Sequence, residues 1–202
     1  MPKGLLIVFE GIDGTGKSTQ MSLLANCLRQ KGHAVIETRE PTAGTFGRQI
    51  RELYTNRNGT SPEQELELFL ADRQEHVLQV LTPGLQQGNI ILCDRYFLST
   101  AAYQSASGFS PAEIIKKNNF APSPDLALLF YAPPKIGIER ITGNRGDTLN
   151  DFEQEAKLQT VAAIFDSLQL PYIKRINAVG SIEAIHQLVL QAVTPLLPND
   201  IL

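Results

Sequence analysis

The chain has 202 residues, of which 43% are hydrophobic and 19% charged, and a formal net charge of -3. These proportions describe a globular chain of ordinary single-domain size and exclude a disordered or fibrous one. The slight acidity argues against a general nucleic-acid binder, which presents a basic face, but allows a small anion held by a few arginines.

Elements then alternate along the chain. LLIVF, residues 5–9, is continuously apolar and reads as a short buried strand. It leads into the glycine-rich loop EGIDGTGKST, residues 10–19. Residues 17–31 carry Met21, Leu24, Cys27 and Leu28 at helical spacing, and Gly32 suits a helix end. HAVIETRE gives a second strand, and residues 47–56 a short helix. In SPEQELELFLADRQEHVLQVL, Ser61 suits an N-cap, Pro62 the first turn and Gln64 the third position after the cap. A long helix is therefore expected to end before Gly88. NIILCDRY is a third strand, followed by helical LSTAAYQSA and by a short helix that Ser110 would cap. DLALLFYA, residues 125–132, is a fourth strand; a helix follows over 134–142, then the polar loop GNRGDTLND. Residues 152–168 read as helix, PYIKRINA as a fifth strand, and residues 181–197 as a closing helix.

Strands alternating with helices predict an α/β fold, a parallel sheet covered on both faces. No repeat, low-complexity tract or linker divides the chain, so one domain over residues 1–202 is expected. Cys27 and Cys93 lie in apolar runs outside any CxxC pair and read as buried thiols in a reducing compartment. No apolar run approaches ~20 residues, and the apolar start runs directly into the glycine motif rather than a cleavage site. The expected location is the cytoplasm, without membrane or nucleic-acid partners. His33, His76 and His186 stand apart, without metal-site spacing; His76 is expected on a helix surface.

Gly11, Gly16, Lys17 and Ser18 meet the pattern G-x-x-x-x-G-K-[ST], between a strand and a helix as the pattern requires. Glycines let the backbone turn its N–H groups toward phosphate oxygens, the lysine reaches the β/γ-phosphates, and the serine hydroxyl faces Mg²⁺. Such cradles serve switches, motors and kinases alike. No N-K-x-D guanine reader accompanies this one, which speaks against a GTPase switch. Asp94 ends a buried strand, where a P-loop protein places an acid for Mg²⁺, and Arg95 follows at once at the sheet edge where ligands bind. Arg39 ends the second strand. Two arginines at strand ends suit a second anion, such as the phosphate of an acceptor nucleotide, although Arg39 could equally pair with Glu40. Phe69 and Arg73 stand four residues apart, on one helix face; the plain alternative is a core phenylalanine beside a solvent arginine.

From FEGIDGTGKST through TREPTAGTFG, LFLADRQEHV and DRYFLSTAAYQ to PDLALLFY and INAVGSIEAI, the chain resembles thymidylate kinases. These are P-loop nucleoside monophosphate kinases that move the γ-phosphoryl of ATP onto dTMP. The likeness spans nearly the whole chain in order. It implies a P-loop NTPase three-layer sandwich of about five parallel strands in the order 2-3-1-4-5, and a homodimer. ATP would lie on Gly11, Ile12, Asp13, Gly14, Thr15, Gly16, Lys17, Ser18 and Thr19, with Mg²⁺ at Ser18 and Asp94. Phe69 would stack on thymine, Arg73 would hydrogen-bond its edge, and Arg39 and Arg95 would hold the dTMP phosphate. Asp13 would sit near the acceptor phosphate and sugar. Tyr103 would crowd the sugar 2′ position, and Ser99, Thr100 and Gln104 would line the base pocket. Family members carry a catalytic arginine in the cradle or in the lid. The cradle here has Gly14 and Thr15, so the lid, residues 142–152, must supply it: Arg145 first and Arg140 next. Lys17, Arg95 and Arg145 form the catalytic set. Two features depart from the family pattern: Tyr131 replaces an aspartate after the fourth strand, and the lid is poor in arginine. Two other readings stay open, a kinase-derived binding protein with little or no turnover and a kinase for another pyrimidine nucleotide such as dUMP.

Overall fold

The computed structural model describes residues 4–54, 59–144 and 155–197. Five strands, β1 (Leu5–Glu10), β2 (Val35–Arg39), β3 (Ile90–Asp94), β4 (Leu126–Tyr131) and β5 (Ile173–Asn177), form one all-parallel sheet in the order β2-β3-β1-β4-β5. This is the P-loop NTPase order that the resemblance implies.

Both faces of β1 are buried because its residues alternate between two cores. Leu6 and Val8 pack with Val77, Leu81, Phe97, Leu98, Leu158 and Phe165 on one face. Ile7 and Phe9 pack with Met21, Leu24, Leu28, Ile185 and Val189 on the other. Helices α1 (Lys17–Gln30) and α9 (Ile182–Val193) thus cover one face, and α5 (Phe97–Ser105) and α8 (Glu155–Ser167) the opposite one. Adjacent strands β1 and β3 feed helices on opposite faces, α1 and α5, so their carboxyl ends part and leave a crevice between them.

The remaining helices are α2 (Thr45–Glu52), α3 (Pro62–His76), α4 (Thr82–Gln86), α6 (Pro111–Lys117) and α7 (Pro134–Glu139). Ser61 and Gln64 form the expected capping box: Ser61 Oγ accepts from Gln64 N and Gln64 Oε1 from Ser61 N. Helix α3 does not run on unbroken. Residues Val77–Leu81 form a π-helical turn before α4, next to Pro83, whose missing N–H cannot sustain the α-helical ladder. Helix α2 starts at Thr45, not at residue 47. Gly47 lies inside it, and the position is glycine because a Cβ there would meet the Thr42 carbonyl oxygen at 2.0 Å. Ser110 precedes α6 without making a side-chain cap. A π-helical turn, Arg140–Asn144, follows α7. Residue 145 and most of the expected lid lie outside the described residues. Among the described residues, no helix is long and apolar enough to cross a membrane.

Candidate active site

The cradle leaves β1 at Gly11, whose φ is 131° and whose Cβ, if it had one, would lie 2.2 Å from the Phe130 carbonyl oxygen. Only glycine fits that turn against β4. At the far end, Lys17 opens α1 and is 6% exposed. Its Nζ donates to the Ile12 carbonyl at 2.9 Å, and Thr15 Oγ1 donates to the same oxygen at 2.8 Å. The ammonium therefore lies across its own loop. Burial, then the neighbouring Arg95, lower its pKa to about 8, against the opposing pull of Asp13, Asp94 and Glu10.

Across the crevice, Ser18 Oγ donates to Asp94 Oδ2 at 2.5 Å. Two hard oxygen donors, one anionic, meet at the mouth of the cradle, a donor set that suits Mg²⁺. Among the described residues no group of three or more His, Cys, Asp or Glu could hold a metal. That is compatible with Mg²⁺, which keeps several waters and binds through one or two protein oxygens plus phosphate.

Arg95 directly follows β3 and takes a φ of 69°, the one positive φ of a non-glycine among the described residues. Such a conformation costs on the order of 1 kcal/mol and is held by its surroundings. Its N–H donates to the Phe9 carbonyl at 2.9 Å. Its Nη1 donates to Gly11 O and to Ser99 Oγ, and its Nη2 to Asp13 Oδ1 at 2.5 Å. Three of its five guanidinium hydrogens serve these contacts, and Tyr103 Oη stands beside the rest of the group. Asp13 Oδ2 accepts from Tyr103 Oη at 2.8 Å, which fixes the tyrosine ring over the Arg95 guanidinium, 5.2 Å away. Removal from water raises the Asp13 pKa, but Arg95, Lys17 and Tyr103 outweigh it and hold it at about 2. Beneath them Glu10 is fully buried at the end of β1. It accepts from the backbone N–H groups of Tyr96 and Leu98 and from Ser99 Oγ, clasping the start of α5. Burial pushes its pKa up to about 7, against the effects of Ser99 and Arg95.

A pocket of about 390 Å³ opens beside these groups. All nine residues expected at the acceptor meet there: Asp13, Arg39, Phe69, Arg73, Arg95, Ser99, Thr100, Tyr103 and Gln104. Arg39 is exposed and pairs with no acid among the described residues. Glu40, its imagined partner, turns inward instead. Its Oε2 accepts from Arg73 Nε at 2.9 Å and Nη2 at 2.5 Å, and its Oε1 from His76 Nδ1 at 2.9 Å. Arg73 is thus no solvent arginine; it is 1% exposed. Nor is His76 on the surface. It is 3% exposed, bonded through Nε2 to Thr38 Oγ1, because the buried Glu40 carboxylate draws a donor from each side.

Arg140, the second candidate for the lid arginine, packs back onto the cradle. Half-buried, it donates to the carbonyls of Gly14 (3.4 Å) and Ala178 (3.1 Å), tying α7 to the cradle and to the end of β5. Thr19 is exposed on α1. Tyr131, at the end of β4, is 44% exposed. Cys93 is buried and Cys27 half-buried, both free. Arg145 lies outside the described residues. The sequence reading missed Glu40, Arg51, Tyr54 and Tyr96 as pocket walls. Nothing local separates Arg51 from Arg48, its neighbour on α2. A charged residue closing the apolar run LLIVF was, however, a visible signal for Glu10.

A glycine cradle after the first strand of a 2-3-1-4-5 parallel sheet, with an acid ending the adjacent strand, defines a P-loop NTPase-type α/β protein. The comparisons with known proteins narrow the class. A family profile described as thymidylate kinase matches residues 9–189. A thymidylate kinase of Desulfotalea psychrophila is 54% identical over 194 residues, 96% of each chain. One from Akkermansia muciniphila is 43% identical over 98% of this chain and 96% of its own. One from Xanthomonas campestris pv. campestris is 45% identical over 84% of this chain and 74% of its own. The chain belongs to the thymidylate kinase family.

Proposed function

We propose that the crevice between β1 and β3 transfers the γ-phosphoryl of ATP to dTMP, giving dTDP, with the following division of labour. The chain is a kinase of nucleotide biosynthesis. One observation carries the assignment of roles: Asp94, hydrogen-bonded to Ser18 of the cradle, lines the same pocket as the nine acceptor residues. Residues 11–19 hold the ATP phosphates, with backbone N–H groups and Lys17 turned from its Ile12 contact onto phosphate. Ser18 and Asp94 would hold Mg²⁺, which when bound offsets phosphate charge.

Arg95 and the exposed Arg39 present their guanidinium groups to the dTMP phosphate. Phe69 packs on the base. Arg73 meets the base edge, beside Ser99, Thr100 and Gln104. Tyr103, pinned by Asp13, stands where a ribose 2′-hydroxyl would lie and so favours deoxyribose. No covalent intermediate is required. Alignment of the acceptor phosphate with the γ-phosphate, and the charges of Lys17, Arg95 and a lid arginine, Arg145, lower the barrier. Closure of a lid over residues 142–152 excludes water as a rival acceptor. We also propose a single kinase domain over residues 1–202, a cytoplasmic setting and a homodimer. Leu78, 73% exposed on the π-helical turn after α3, is a side chain that a partner subunit would cover.

Coupled ATP consumption against dTMP, dUMP, UMP, CMP, AMP and GMP tests this reading. dTMP should be turned over fastest, dUMP next and the purine nucleotides not at all. No turnover with any acceptor would make the chain a nucleotide-binding protein instead.

A further inference from the structure

We infer that Asn118, far from every sequence motif, is a positioning residue that fixes Arg73 as a single-donor reader of the base. This rests on the pocket being the dTMP site. A guanidinium carries five N–H donors in one plane. Glu40 Oε2 takes one from Nε and one from Nη2, and Thr100 Oγ1 accepts from Nη2 at 2.9 Å. Asn118 Oδ1 accepts from Nη1 at 2.6 Å. Four donors are spent. One Nη1 hydrogen has no partner among the described residues, on a side chain that lines the pocket. Glu40 and Asn118 grip the plane at different nitrogens, so it cannot turn within itself.

Asn118 is itself held firmly. It is 2% exposed, it directly follows α6, and its Nδ2 donates to the Ile114 carbonyl at 2.7 Å. Four residues further on, the Pro122 carbonyl accepts from Tyr96 Oη, and the Tyr96 ring lies 5.3 Å from Arg73 Cζ. The segment 114–122, which has no contact role toward phosphate in the proposed site, thus sets both the angle and one wall of the arginine. On α5, Gln104 Nε2 donates to Glu65 Oε1 at 2.7 Å, which turns Gln104 Oε1 the other way, buried and without a hydrogen-bond partner.

One fixed donor and one spare acceptor match the imide edge of thymine or uracil, a keto oxygen beside an N–H. Cytosine presents the reverse, an amino group beside a bare nitrogen, and would leave buried groups unpaired. Without Asn118, Nη1 has two free hydrogens and the plane is held only along its Nε and Nη2 side, by Glu40 and Thr100, so the Nη1 end is no longer fixed. Affinity for dTMP should then fall while affinity for dCMP changes little.

The test uses the full chain. Dissociation constants for dTMP and dCMP, and KM for ATP, are measured for the wild type, Asn118→Leu and Asn118→Asp, with thermal melting beside them. The hydrogen bond that a misaligned Arg73 no longer makes to the base predicts about tenfold weaker dTMP binding in Asn118→Leu and a dTMP-to-dCMP ratio narrowed by about the same factor. KM for ATP should stay within about twofold. Asn118→Asp, which keeps the acceptor, should retain the wild-type ratio; it decides the matter should the leucine variant fail to fold. An unchanged ratio in a folded Asn118→Leu, or a narrowed one in Asn118→Asp, overturns the role of Asn118. A wild type that binds no dTMP overturns the pocket reading as well.

Discussion

Gly14 in the cradle and Gly137 in α7 meet backbone to backbone. A Cβ on Gly14 would lie 2.2 Å from the Gly137 carbonyl oxygen, and one on Gly137 2.5 Å from the Asp13 carbonyl oxygen. The loop therefore has no room for an arginine at position 14 while α7 packs against it. Arg140, one turn on from Gly137, adds a hydrogen bond to Gly14. The helix leading toward the lid is keyed directly to the phosphate loop.

Gly137→Ala should accordingly disturb a loop it does not belong to. Overpacking of this kind costs about 1–3 kcal/mol, seen as a lowered melting temperature, with KM for ATP raised more than KM for dTMP. A variant with wild-type stability and kinetics would show that the close approach is not required.

The three central strands β1, β3 and β4 were legible because each is a nearly continuous apolar run between polar or glycine-rich segments, and the cradle because its residue types are dictated by phosphate. Phe69 and Arg73 were legible as one face of α3. Their environment was not. Periodicity places a side chain on a face but does not say whether a distant carboxylate, here Glu40 at 2.5 Å from Arg73 Nη2, waits there. His76 looked superficial for the same reason. The close approach of Gly137 depends on a contact across more than a hundred residues, and no local pattern announces it.

Lys17→Ala should abolish turnover while the fold survives, since what is lost is charge on transferring phosphate. The pH dependence follows from the lysine's pKa of about 8. Below that pH the free protein carries the cation that phosphate needs; above it the neutral amine. kcat/KM for ATP, which reports the free enzyme, should decline as pH rises through about 8. A flat profile to pH 9.5 would remove Lys17 from that role.

Glu10 gives a stability signature of opposite origin. Its folded pKa, about 7, lies above the ordinary 4.5. Between these values the folded protein keeps a proton that the unfolded chain has released, so stability is greatest below 4.5 and declines as pH rises to 7. The full effect is on the order of 3 kcal/mol. Urea melts at pH 4.5 and 7.5 should show the decline in the wild type and its loss in Glu10→Gln.

Arg73→Ala should weaken dTMP binding far more than ATP binding. Because it strands the buried Glu40 carboxylate with His76 as its remaining side-chain hydrogen-bond partner, it should also cost about 3–5 kcal/mol of stability. Titration calorimetry with each nucleotide separates the two effects, and equal weakening of both would take Arg73 out of the base pocket.

The central claim is phosphoryl transfer to dTMP in this crevice. ATP labelled at the γ-phosphate, incubated with dTMP, Mg²⁺ and the wild-type chain, tests it most directly, with Arg95→Ala alongside. The label should appear in dTDP with the wild type and be reduced by orders of magnitude with the variant. Label found in inorganic phosphate, or in dTDP equally with both proteins, would contradict the account.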